Sequence, residues 1–378
     1  MGVSEPQRIV YLPSRPVPAA EANAVHAAHM ASAWCRQGYD VTLLAPAPWP
    51  WVPGAGTILR EQHGADARLR RRSLWTPRPR VLRHRVHAAW LRCHLAWIRP
   101  ALVHARHLRG AELAARLGWP VLFEAHMPMS ARGSGTAERF ADLIDAPGFR
   151  GLVVISHALA HDFAQHYPQL AGRIIVAPDA APQWPDPGPA STAGEMRAGY
   201  IGSLYPGKGM EVIAAIAPDN PDIRFDVVGG TAGEIAQWRE RLVGADHVTF
   251  HGHQPHARVR AHMARCSVLL APYQPRVEAQ GGRDDIARWM SPLKLFEYMA
   301  ANRPVVASDL PVLREILRHN DNAILVPPDD PAAWSAALEQ LRREPETARR
   351  IAATARAEYE REYTWDRRAQ RIREAIVQ

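Results

Sequence analysis

Tyr200-Ile-Gly-Ser-Leu-Tyr-Pro-Gly-Lys-Gly209 reads as the end of an apolar strand, a glycine-bearing turn and the start of a helix. Gly202, Gly207 and Gly209 permit close backbone approach and positive φ angles. Backbone N–H groups at such a helix start, together with the Lys208 ammonium, suit a diphosphate. The spacing matches neither GxxxxGK[ST] nor GxGxxG, which argues against an ATP-type phosphate loop and a dinucleotide fingerprint. The competing reading is an ordinary strand–turn–helix connection.

Working outward, strands are predicted at Gly199–Gly202, Phe225–Val228, Val248–Phe250, Val268–Ala271, Val305–Ala307 and Ile324–Val326, with helical stretches between them. Upstream, the same alternation runs through Arg8–Leu12, a helix over about residues 20–37, Val41–Ala45, Leu102–Ala105, Val121–Glu124, Leu152–Ile155 and Ile174–Val176. Alternation of this kind predicts parallel, doubly wound α/β sheets. It is interrupted between Pro178 and Pro189, where five prolines signal a linker. The expected plan is an N-terminal Rossmann-like domain (1–180), a Pro-rich linker (181–197) and a second Rossmann-like domain (198–362). A last helix (363–378) crosses back to the first domain. Two such domains face a cleft between the carboxyl ends of their sheets, where ligands bind in open α/β folds.

A second segment, Ser291-Pro-Leu-Lys-Leu-Phe-Glu-Tyr-Met-Ala300, offers another helix N-terminus. Ser291 is a good N-cap and Pro292 suits the first helical position. Lys294 lies in the first turn, and Glu297 is a carboxylate able to accept two hydrogen bonds from a ribose diol. The alternative for Glu297 is a solvated face, but Leu293, Leu295, Phe296 and Met299 leave little of this helix to solvent. Only two of the 46 basic residues are lysines, Lys208 and Lys294, and both fall in these two segments. A compact ammonium and a planar guanidinium are not interchangeable in a tight site.

Tyr200–Met210 and Ser291–Ser308 resemble the donor-binding signatures of glycosyltransferase family 4, a retaining family with the GT-B fold. Val248-Thr-Phe-His-Gly252, Val268-Leu-Leu-Ala-Pro272 and Asn322-Ala-Ile-Leu-Val-Pro327 are similar to family segments. So are Ala22-Asn-Ala-Val-His26, Val121-Leu-Phe-Glu-Ala-His126 and Val154-Ile-Ser156. The resemblance is strong over 199–328 and weak over about 48–100.

It implies a hexosyltransferase that moves a sugar, with retention and without a metal, from a nucleotide-diphosphate sugar to an acceptor hydroxyl. Lys208 would contact the donor diphosphate, Glu297 the ribose, and His126 the sugar and pyrophosphate; these are the candidate catalytic residues. Gly202, Ser203, Ser291, Leu293, Lys294 and Leu295 complete the implied donor site. Asn23 and His26 are candidate acceptor or sugar contacts. Two positions depart from the family pattern. Trp289 stands where many members carry a Glu, and Ser203 where many carry an Arg, a phosphate cation that Arg283 or Arg288 is placed to supply. No DxD metal motif stands out, and no cofactor beyond the donor is expected.

The bulk composition agrees with this class. The 378 residues suit two α/β domains. No run approaches the ~18 apolar residues of a membrane span, and the polar start lacks a signal-peptide apolar region. Three scattered cysteines, Cys35, Cys93 and Cys266, read as reduced thiols in a cytoplasmic protein.

The net charge of +8 is lopsided: residues 1–190 hold 21 Lys+Arg against 13 Asp+Glu, residues 191–378 hold 25 against 25. Residues 68–109 are acid-free and rich in Arg and Trp. This fits an anionic membrane surface, hence a peripheral place on the inner face and a lipid-linked or carbohydrate acceptor in cell-surface polysaccharide or glycolipid assembly. The alternative is a solvated basic face over core tryptophans. Nucleic acid has no motif to support it. Two other function classes compete: a catalytically inactive nucleotide-sugar-binding protein, and a nucleotide-sugar epimerase.

Overall fold

The computed structural model describes residues 7–19, 21–77, 80–132, 134–190, 195–278 and 285–377. The chain divides into two compact units, 1–178 with 365–378, and 179–364.

The first unit carries a seven-stranded sheet. Its strands are β1 (Arg8–Leu12), β2 (Asp40–Ala47), β3 (Arg70–Trp75), β4 (Leu102–Ala105), β5 (Val121–Ala125), β6 (Phe149–Val154) and β7 (Ile174–Val176). The helices between them are α1 (Ala22–Arg36), α2 (Ala55–His63), α3 (Arg80–Ile98), α4 (Leu108–Arg116), α5 (Ser134–Ile144) and α6 (His157–His166). Strand order is β3-β2-β1-β4-β5-β6-β7, all pairs parallel. Helices cover both faces of such a sheet, so its strands read as apolar runs without alternation; Ile9–Leu12 and Val121–Ala125 are buried throughout.

The second unit has six parallel strands: β8 (Met196–Ile201), β9 (Ile223–Val228), β10 (Val248–Gly252), β11 (Val268–Ala271), β12 (Val305–Ser308) and β13 (Ile324–Val326). Its helices are α7 (Met210–Ile216), α8 (Ala232–Arg241), α9 (His256–Arg265), α10 (Leu293–Ala300), α11 (Pro331–Arg343) and α12 (Pro345–Glu362). The order is β10-β9-β8-β11-β12-β13. In each sheet the order reverses once, between β1 and β4 and between β8 and β11, the crevice where open α/β sheets take ligands.

The last helix, α13 (Trp365–Val377), packs on α1 of the first unit. Trp365 and Arg368 are its buried anchors.

Two features add to the sequence reading. The arginine run at 70–72 lies in an edge strand, β3, absent from the predicted strands. It pairs only with β2, so Arg70 and Arg72 point to solvent while Ser73 and Leu74 are buried. An edge position accommodates that charge. The Pro-rich stretch is held by side chains of the second unit. Arg356 donates to the Trp184 carbonyl (2.7 Å) and Arg303 to that of Gly188 (2.7 Å). Arg260 donates to the carbonyl of Pro185 (2.9 Å) and Asn302 to the Asp186 carboxylate (3.0 Å). Prolines lack backbone donors, so side-chain cations hold the strip by its carbonyls.

Candidate active site

The second unit's switch point is built from the turns after β8 and β11. Gly202 follows β8 with φ +154, and a Cβ there would lie 3.1 Å from both Cε and Nζ of Lys294. The missing side chain is therefore the space the lysine uses. At Gly209, φ is +120 and a Cβ would fall 2.3 Å from Pro272 Cγ. No other residue fits both constraints.

Two tyrosines brace this turn. Tyr200 Oη donates to the Ser203 carbonyl (2.6 Å) and lies 3.1 Å from that of Lys208, closing the turn on itself. Tyr298 Oη accepts from the Ile201 N–H (2.8 Å), fixing α10 against the end of β8.

The two lysines meet here. Lys294 Nζ lies 4.0 Å from the Tyr200 ring centroid and 4.7 Å from that of Tyr273, and Lys208 Nζ lies 5.6 Å from the same Tyr273 ring. Lys294 Nζ is buried and has no hydrogen-bond partner among the described residues. Burial, and then the neighbouring Lys208, hold Lys294 well below the usual lysine range, with Glu297 acting in the opposite direction. Burial lowers Lys208 to about 8. Burial also raises Glu297 to about 7, against the pull of Lys294. Two ammonium groups and a carboxyl thus share one poorly solvated patch, an arrangement that clusters at functional sites.

Several sequence expectations are revised by local geometry. Ser291 does not cap α10: the helix begins at Leu293 with Pro292 as N-cap, and Ser291 Oγ accepts from the Asp179 N–H (2.9 Å). The N–H groups of Gly207 and Gly209 are not open to a phosphate either, because the Glu211 carboxylate accepts both (2.9 and 3.3 Å). The cationic groups beside this turn are the two lysines. Ser203 is exposed, Leu293 half-buried and Leu295 buried in the core. Arg288 is exposed, its guanidinium 5.8 Å from the Trp289 ring. Arg283 lies outside the described residues.

In the first unit the candidate histidines converge on a residue the sequence reading passes over, Glu124 on β5. Its carboxylate is fully buried. His126 Nε2 lies 2.6 Å and His26 Nε2 2.9 Å from Oε1, while His104 Nε2 lies 2.8 Å from Oε2. Arg368 of α13 adds 3.1 Å to Oε1 and 3.4 Å to Oε2. Burial raises the carboxyl's pKa, but Arg368, His26 and hydrogen bonds from His104 and His126 outweigh it, and Glu124 stays well below the usual range.

Trp34 Nε1 donates to His104 Nδ1 (3.1 Å), so Nε2 of that ring carries the proton it gives Glu124. His126 remains 21% exposed and is oriented by the carboxylate. His26 is buried, with its Nε2 against the Glu124 carboxylate. Asn23 donates to Ser14 Oγ (3.1 Å), and its buried Oδ1 has no partner among the described residues.

The signals for the missed residues are partial. Glu124 is a charge inside an apolar strand, which marks a paired carboxylate. Tyr200, Tyr273 and Arg368 carry no local signal, because their contacts span 94, 21 and 244 positions (294 − 200, 294 − 273 and 368 − 124).

Comparison with known proteins decides the family. Residues 23–179 match the glycosyl transferase 4-like domain model, and residues 195–344 match the model for glycosyl transferases group 1. The chain belongs to glycosyltransferase family 4. Its two parallel sheets are those of the GT-B fold.

The chain is 34% identical over 165 residues to a phosphatidyl-myo-inositol mannosyltransferase of Mycobacterium leprae, covering 42% of this chain and 40% of that one. It is 27% identical over 224 residues to an exopolysaccharide phosphotransferase of Streptomyces coelicolor, covering 58% of this chain and 22% of the relative. The chain thus spans well under half the length of either relative. Anabaena HepE in complex with UDP-glucose superimposes with a TM-score of 0.70 at 17% identity, over 98% of this chain and 99% of that one. Among the described residues, no helix is long and apolar enough to cross a membrane.

Proposed function

We propose that this glycosyltransferase takes a nucleotide-diphosphate sugar as donor and transfers the sugar, with retention and without a metal, to an acceptor hydroxyl. The observation that carries the reading is the buried, unpartnered ammonium of Lys294 beside Lys208 at the switch point of the second sheet. A diphosphate supplies the anionic oxygens this nitrogen lacks, and two ammonium groups stabilise the charge that develops as the nucleotide leaves. Glu297, three residues after Lys294 on α10, accepts from the ribose hydroxyls; those hydrogen bonds favour its ionised form. In this scheme the leaving phosphate helps deprotonate the acceptor, which attacks from the same face. His126, oriented by Glu124, contacts the transferred sugar.

The HepE complex carries UDP-glucose, and one relative's name specifies a phosphatidyl-myo-inositol acceptor. Together they favour a nucleotide-sugar donor and a carbohydrate or lipid-linked acceptor, and we assign the transfer to cell-surface polysaccharide or glycolipid assembly on the cytoplasmic side. The basic, tryptophan-bearing stretch 68–109 would hold the protein to an anionic membrane surface.

The test is transfer activity on a panel of UDP-, GDP- and ADP-sugars with polyprenyl-phosphate-linked and phosphatidylinositol acceptors. Lys208→Ala and Glu297→Ala are each expected to lower turnover by about a hundredfold or more at unchanged Tm, and Lys208→Arg to be impaired because a guanidinium is too wide. Full turnover in either alanine variant contradicts the assignment. Conversion of the donor without any acceptor would point to an epimerase instead.

A further inference from the structure

A second concave site lies within the first unit, at the β3 edge of its sheet. The cavity has a volume of about 600 Å³ and is bounded by β3, by Trp90 and His94 of α3, and by residues 50–60. Four arginines line it (Arg60, Arg70, Arg71 and Arg72), and no acidic residue does. Among the described residues only Arg70 has an acidic partner, Asp40 (2.8 Å). Arg71 is half-buried and donates to neutral acceptors, the Val17 carbonyl (3.2 Å) and Ser73 Oγ (2.7 Å). Arg72 is stacked 4.3 Å over the Trp97 ring, and Arg60 reaches only Thr57 Oγ1 (3.4 Å).

The three remaining like charges gathered in one concavity repel one another unless an anion enters. The first turn of the nine-residue helix α2, which has no side-chain cap, borders the same space and adds the positive end of its dipole. Trp51, 75% exposed, stands at the rim and Trp90 forms part of the wall. Flat aromatic walls around a volume of this size fit a small ring-bearing ligand. Three strands, β2, β1 and β4, separate β3 from the Glu124 cluster on β5. At sheet spacing that is about 19 Å, so the cavity is a distinct site.

We infer that this arginine–tryptophan cavity binds the phosphate of a phosphorylated sugar or polyol, supplied either free in solution or as a lipid headgroup. Guanidinium pairs fit phosphate oxygens bidentately, and the tryptophans cover the apolar face of the attached ring. The inference does not rest on the donor reading, since every lining residue belongs to the first unit.

The experiment uses the full chain. Glucose 6-phosphate, with glucose as control, is titrated by calorimetry; in parallel, the protein is co-sedimented with phosphatidylcholine vesicles with and without phosphatidylinositol. Two variants accompany the wild type: Arg60→Glu/Arg72→Glu, which reverses charge at exposed positions, and Gly56→Leu, which fills the cavity at constant charge. Both should keep the wild-type Tm and weaken binding by at least about tenfold. Loss in the glucose 6-phosphate arm identifies a soluble ligand, and loss confined to the phosphatidylinositol arm a lipid headgroup. If wild type binds neither probe, or Gly56→Leu binds as wild type, the inference is overturned; the latter result would leave a diffuse charged surface.

Discussion

Lys294→Met is expected to leave unfolding stability unchanged or raise it, while nucleotide affinity and transfer fall by about a hundredfold or more. The reason is a balance of two terms. The Tyr200 and Tyr273 rings stabilise the ammonium by about 2 kcal/mol each. Removing an ammonium from water without a hydrogen-bonding partner costs about several kcal/mol. Desolvation wins, which is why burial holds Lys294 well below the usual range. Methionine keeps the stem's shape and removes the charge, and Glu297, raised to about 7 by burial, can take up a proton once its neighbour is gone. Chemical denaturation gives the stability and calorimetry with UDP, GDP and ADP the affinity. A large loss of stability with nucleotide binding intact would make Lys294 a structural residue.

The second large effect belongs to the first unit. Glu124→Ala should destabilise it by about 3–5 kcal/mol, because Arg368 then stays buried without its counter-charge. Backbone carbonyls of Ala177 and Pro178, 3.1 and 3.0 Å from the guanidinium, compensate only in part. His104 and His126 also lose their acceptor. Glu124→Gln retains an acceptor oxygen and should cost less. Urea unfolding followed by circular dichroism reads the difference. A change below about 1 kcal/mol for the alanine variant would mean the cluster contributes little to the fold.

Much of the fold is legible in the sequence because parallel strands covered on both faces are short apolar runs. Leu102–Ala105, Val268–Ala271 and Ile324–Val326 have the boundaries their composition suggests. β3 is hidden by its arginines, which only an edge position tolerates. The rarity of lysine singles out Lys208 and Lys294, and the turn glycines locate the switch point.

What the sequence conceals is which groups are already taken. The Glu211 carboxylate occupies backbone donors that look free for phosphate, and Ser291 serves Asp179 rather than its own helix. The tyrosine walls around Lys294 and the Arg368–Glu124 pair join distant elements, so no local pattern announces them.

The claim on which the account turns is that a diphosphate is the missing partner of Lys294 and Lys208. Burial sets free Lys208 at about 8 and holds Lys294 well below the usual lysine range, and a bound diphosphate must raise both. The complex therefore holds more protons than the free protein, and affinity weakens as pH rises through about 8. The direct measurement is calorimetric titration of UDP, GDP and ADP at about pH 8.5, in two buffers of different ionisation enthalpy. Glu297 and the nucleotide phosphates are then largely ionised and contribute little. Binding of at least one nucleotide with net proton uptake is the expected result; binding without uptake, or no binding by any of them, contradicts the account.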